Sequence, residues 1–222
     1  MRKHFAEELE DLKERVVYMG GLVETAVHRS VHAFVDRDLE LSASVIRDIE
    51  PEVNHLEVEI DEEILRLLAL QQPMAVDLRF LAACLKITTD LERMGDLAVN
   101  IAQGVARLLE QPLSTPLVDL PLMAERTKHM IRTSLDSLIG ADVALARQVL
   151  ETDDEVDAIR DQIFRELMHR MGQNSELVER GMTHILVARN LERIADHATN
   201  IAEDVIFWVE GVDIRHHLHD HV

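Results

Sequence analysis

Leu91-Glu92-Arg93-Met94-Gly95-Asp96-Leu97-Ala98-Val99-Asn100-Ile101-Ala102 returns one hundred residues later as Leu191-Glu192-Arg193-Ile194-Ala195-Asp196-His197-Ala198-Thr199-Asn200-Ile201-Ala202. Eight of the twelve positions are identical. A weaker match pairs Glu50-Pro51-Glu52-Val53-Asn54 with Asp153-Asp154-Glu155-Val156-Asp157 at an offset of 103. Two matched segments in the same order, at nearly equal offsets, indicate duplication of a whole unit. Within the unit the period is helical: Leu91, Met94, Ala98, Ile101, Val105 and Leu108 recur at three- and four-residue steps and mark one apolar face.

The same period runs along most of the chain and predicts helices at about 3–35, 38–71, 74–110, 117–139, 142–173 and 176–210. The breaks have physical causes. Pro73 after Gln71-Gln72 cannot continue a helix. Gly140 ends one helix and Asp142 caps the next, and Gly172 to Ser175 do the same before the last. Gln111-Pro112-Leu113-Ser114-Thr115-Pro116 reads as a linker where the two copies join. With only 8 Gly, 5 Pro and 3 % aromatics in 222 residues, strands and their turns are disfavoured. The expected fold is all-α: two tandem three-helix bundles over 1–111 and 117–210, followed by a histidine-rich tail over 211–222.

Charge narrows the function classes. A formal net charge of -19 repels polyanions, which argues against a nucleic-acid partner. It suits metal cations, basic protein patches or plain solubility. Cys84 is the single cysteine, so no internal disulfide forms; a core role is expected for it, and the compartment reads as reducing and cytoplasmic. The acidic start of the chain carries no apolar signal segment, and no apolar run reaches membrane-spanning length.

The repeated motif places Glu92, Asp96 and Asn100 at i, i+4 and i+8, nearly opposite the apolar face, and Glu192, Asp196 and Asn200 repeat the row. Carboxylates one turn apart repel, and a cation between them relieves the cost. Arg93 and Arg193 could partner the carboxylates instead. The preceding helix adds Asp153 and Asp157, continued by Asp161, and in the first copy Glu50 and Asn54 with Glu57 and Asp61 nearby. Such oxygen-rich rows suit hard ions; an ordinary solvated acidic face is the alternative. Glu52-Val53-Asn54-His55 and Glu166-Leu167-Met168-His169 share the spacing of ferritin-like di-iron bundles, but they are not repeat-equivalent. His216, His217, His219 and His221 in the tail could bind a transition metal, though a frayed terminus is the simpler reading. Met168, Met171 and Met182 read as helix core, His197 as a surface histidine, and Gly20-Gly21 as a packing or kink position.

Taken together, Asn54 to Asp61, Gln72-Pro73-Met74-Ala75-Val76-Asp77-Leu78-Arg79, Leu91 to Asp96 and Leu191 to Asp204 resemble the PhoU family, over about residues 1–211. The resemblance implies two repeated three-helix bundles, a homodimer, and a cytoplasmic adaptor that is not an enzyme. It implies partners: the ATPase of the phosphate ABC transporter and a sensor histidine kinase, with membrane association only through them. Through these partners it implies negative regulation of phosphate-starvation genes and restraint of phosphate uptake. By motif it also implies metal (iron, Mn, Mg or Zn) at Glu92, Asp96, Glu192 and Asp196, with Asn100, Asn200, Asp153 and Asp157 as additions. A ferritin-like metalloenzyme and a passive helical scaffold are the competing readings.

Overall fold

The computed structural model describes residues 2–110 and 118–214. Its elements are α1 (Arg2–Asp36), α2 (Leu39–Ser44), a π turn (Val45–Ile49), α3 (Glu50–Gln71), α4 (Val76–Leu109), α5 (Leu120–Gly140), α6 (Val143–Gln173), a 3-10 turn (Ser175–Leu177) and α7 (Val178–Glu210). Among the described residues there is no strand. The linker Gln111 to Pro116 and the tail histidines His216, His217, His219 and His221 lie outside the described residues.

Six rods result, because α2, the π turn and α3 run on as one. Pro51 explains the π turn. It has no N–H to give the carbonyl four residues back, and its ring crowds that carbonyl. The chain widens by one residue, and the Glu50 N–H reaches Val45 O instead. The helix starts are capped as acidic residues dictate: Asp38 accepts from the N–H groups of Glu40 and Leu41, and Asp142 from those of Ala144 and Leu145. One boundary differs from expectation. Helix α5 runs through Gly140, and Ala141 takes the left-handed cap with φ 49°.

In the first copy α1, α3 and α4 pack on one another; in the second α5, α6 and α7 do the same. The copies meet through equivalent helices, α4 against α7 and α1 against α5, while α3 and α6 flank the outside and do not touch. One hydrophobic core runs through both copies. Leu91, Met94, Ala98 and Ile101 are fully buried, and so are Leu191, Ile194, Ala198 and Ile201. Cys84 is buried as expected, with its thiol pushed up to about 12 by loss of water. Gly20 allows a close approach: a Cβ there would stand 2.6 Å from the methyl carbons of Leu135. Two methionines are not core. Met168 is 64 % and Met182 47 % exposed, because the residues that face inward are their neighbours Leu167, Gly181 and Thr183.

Arg79, in the Gln72 to Arg79 stretch, has a structural task. Its Nε donates to Trp208 O at 3.0 Å, and its guanidinium packs on Gly211, the left-handed cap of α7. It thereby ties the start of α4 to the end of α7.

Candidate functional site

The burial pattern fixes how the second helices of the two copies correspond. Val53, Leu56, Ile60 and Ile64 face the core from α3, and Val156, Ile159, Ile163 and Leu167 do so from α6. These pairs keep the 103-residue offset, so the positions between them correspond as well.

In the first copy Glu92 and Asp96 of α4 lie beside α3, where Glu50, Glu57 and Asp61 share their field. Glu92 is not a solvated ridge residue: its side chain is 16 % exposed, against 45 % for Asp96. Burial raises the Glu92 carboxyl, and Asp96 raises it further. Glu57 is raised by burial and then by Glu92 and Asp61. Asp61 is raised by burial, against a hydrogen bond from Thr88. Arg93 stands outside the group, with Nε 3.4 Å from Glu92 and a terminal nitrogen 3.4 Å from Asp96. Two buried oxygens here, Glu92 Oε2 and Asn54 Oδ1, receive no hydrogen bond. The Asn54 amide donates to Glu50 at 3.0 Å. Asn100 is exposed one turn beyond Asp96.

In the second copy Asp153 and Asp157 of α6 share a field with Glu192 and Asp196 of α7. The Asp153 carboxyl is pushed up to about 6, first by burial and then by Asp196, Asp157, Asp154 and Glu192. Asp196 is raised by burial and by Glu192 and Asp157. Arg160, which the sequence reading left aside, enters this cluster. It donates to Glu192 at 2.6 Å and to Asp161 at 2.9 Å, and lies 3.1 Å from Asp157. Asn200 is drawn elsewhere: its amide donates to Asp90 across the seam between copies, at 3.1 Å.

The same Asp90 oxygen lies 2.7 Å from His197 Nδ1. His197 is therefore not a surface histidine; its side chain is 19 % exposed and joins α7 to α4. Glu92 and Asp196 both lie within electrostatic reach of its ring, so the two clusters flank one seam.

Among the described residues, no three or more His, Cys, Asp and Glu side chains are grouped so as to hold a metal ion. The clusters are open rows, and their donors are carboxylate and amide oxygens, which fit hard cations. In the first, Asn54 Oδ1 has no donor and Glu92 Oε2 has only the Arg93 Nε at 3.4 Å, without a hydrogen bond, which leaves room in their bonding for such an ion. The E-x-x-H pair has no shared core: His55 is 71 % exposed beside Glu59, and His169 is exposed beside Gln173, on helices that do not meet.

The fold and the site define an all-helical protein built as a duplicated three-helix bundle, with paired acidic clusters along its central seam. The family model described as PhoU domain matches twice, over residues 16–105 and 120–205. The chain belongs to the PhoU family. It is 39 % identical over 215 residues to the phosphate-specific transport system accessory protein PhoU homolog of Pseudomonas aeruginosa, covering 96 % of this chain and 88 % of that one. It is 41 % identical over 209 residues to the homolog of the same description from Aquifex aeolicus, covering 94 % of each. The crystal structure of PhoU from Pseudomonas aeruginosa superposes with a TM-score of 0.89 at 38 % identity, over 94 % of this chain and all of that one. The phosphate transport system regulatory protein PhoU from Streptococcus pneumoniae does so at 0.87 and 27 %, over 94 % and 98 %.

Proposed function

We propose that this chain is a cytoplasmic regulator of phosphate uptake. It links the ATPase of a phosphate ABC transporter to a sensor histidine kinase and holds phosphate-starvation genes down, acting as a homodimer and without catalysis of its own. The observation that carries this reading is the match to the PhoU model in both copies, with relatives named as accessory proteins of phosphate-specific transport along nearly the whole chain. Among the described residues no helix is long and apolar enough to cross a membrane, so contact with a transporter runs through protein partners. The net charge of -19 favours basic patches on those partners, and electrostatic complementarity sets partner choice and encounter rate. Pull-downs from host membranes, with and without phosphate, are the test. Recovery of the transporter ATPase and the kinase is expected; recovery of neither would sink the adaptor reading.

The acidic clusters complete the proposal. A divalent or trivalent cation (iron, Mn, Mg or Zn) held at the carboxylate rows would offset their mutual repulsion and set the shape of the seam. Glu92, Asp96, Glu192 and Asp196 are the candidate ligands, with Asp153 and Asp157 beside them. Asn100 and Asn200 take lesser parts, one exposed and the other bonded to Asp90. Purified protein carrying both Asp96→Ala and Asp196→Ala is expected to lose most of its bound metal. Unchanged metal content in elemental analysis would remove these residues from consideration.

A further inference from the structure

The two clusters are unequal, and one position accounts for most of the difference. The 103-residue offset that aligns the buried faces of α3 and α6 sets Arg160 where the first copy has Glu57. The flanking position differs as well: Phe164, partly buried against the core, stands where the first copy has Asp61. So at equivalent places one copy presents two carboxylates and the other a guanidinium and a phenyl ring.

Arg160 is not a loose surface cation. Its side chain is 22 % exposed, and its nitrogens reach Glu192, Asp157 and Asp161 together. A guanidinium hydrogen-bonded to Glu192 and Asp161 and ion-paired with Asp157 supplies both positive charge and directed donors to those oxygens. A metal ion entering there would have to displace it, leaving its charge facing the ion. The first copy offers no counterpart. Arg93 is 57 % exposed; its Nε stands 3.4 Å from Glu92 Oε2 without making a hydrogen bond, and a terminal nitrogen reaches Asp96 only at 3.4 Å, while Asn54 Oδ1 stays buried without a donor. Unfilled acceptors of this kind carry a desolvation cost that a hard cation removes.

We propose that only the first copy is a metal site, and that in the second Arg160 replaces the ion as a built-in cation. This rests on the reading of the acidic rows as cation sites and narrows it: Glu92 and Asp96 keep the role of ligands, while Glu192 and Asp196 give it up to the charge of Arg160. The rows would then differ in kind: one responds to metal supply, and the other stays closed whatever the metal concentration.

Titration of the full chain with Mn(II), followed by the signal of the free ion in electron paramagnetic resonance and by elemental analysis, tests the proposal. Mn(II) favours oxygen donors and competes poorly for imidazole, which keeps the tail histidines out of the measurement. In the wild-type chain Asp96→Ala is expected to weaken the tight class by about tenfold or more, and Asp196→Ala to leave it unchanged. Arg160→Glu, with Arg160→Gln as the milder variant should the first unfold, is expected to add a second class of bound ion. Adding Asp196→Ala to that variant should then abolish the second class. Equal losses from Asp96→Ala and Asp196→Ala, or no added binding in either Arg160 variant while the chain stays folded, would overturn the inequality and leave the metal reading standing. Absence of tight Mn(II) binding in the wild-type chain would overturn both.

Discussion

Asp153 shows how a single side chain carries the electrostatic cost of the acidic rows. Its carboxyl is pushed from an ordinary 3.8 up to about 6 by burial and by four neighbouring carboxylates. The folded state therefore holds that proton more tightly than the unfolded chain does. The associated stability is full below pH 4 and is lost as pH rises through about 6. In metal-free protein, Asp153→Asn is expected to match the wild type in urea at pH 4. At pH 7 it should be more stable by about 1 kcal/mol, a figure reduced for partial solvent screening. Equal midpoints at both pH values would refute the assignment. Ala141 gives a second case. It sits at φ 49°, a region that costs a residue with a Cβ roughly 1–2 kcal/mol. Ala141→Gly is expected to raise the unfolding free energy by about 0.5–1 kcal/mol, because relief of strain exceeds the added entropy of the unfolded chain. A loss of stability would show that the cap is not strained.

At the scale of elements, the contact between α4 and α7 is decided by polar as well as apolar groups. Asp90 accepts from Asn200 and pairs with His197, and Lys86 reaches Asp204 at 2.8 Å. The repeat does not predict these links, since Asp90 corresponds to Asn190 and His197 to Leu97. Asp90→Ala leaves part-buried His197 and exposed Asn200 without their shared acceptor and is expected to cost about 1 kcal/mol in chemical denaturation. An unchanged midpoint would mean that water replaces the aspartate at no cost. The π turn is likewise an element-level outcome. Pro51 was visible in the sequence, but the continuous apolar period hid the one-residue widening that it causes.

Across the whole molecule, the two copies share one core and cannot be separated without exposing the facing sides of α4 and α7. Unfolding is therefore expected to be a single cooperative event. Two native reporters lie on opposite sides of the duplication: Cys84, fully buried in α4, and Trp208 of α7, whose ring stands 4.9 Å from that of Phe80. Thiol labelling of Cys84 and Trp208 fluorescence should give coincident urea transitions, matching the helical circular dichroism. Separate midpoints would show that the copies fold as independent domains. The clusters belong to this scale too, since both flank the seam that forms only when the copies meet, with His197 between them.

The sequence by itself determined the helices, the duplication and the acidic rows. Each of these is written as a spacing along one chain, and spacing survives without coordinates. Leu91, Met94, Ala98 and Ile101 fell where the period put them. The charge reversal between Glu57 and Arg160 was also legible, once the 103-residue offset was carried past the first five residues. Only the tertiary structure decided that Glu92 is largely sheltered, that Met168 and Met182 face outward, that Asn200 serves Asp90, and that Arg160 enters the second cluster. A helical period states which residues share a face. What lies opposite that face depends on the packing of other helices, and packing is a property of the assembled chain.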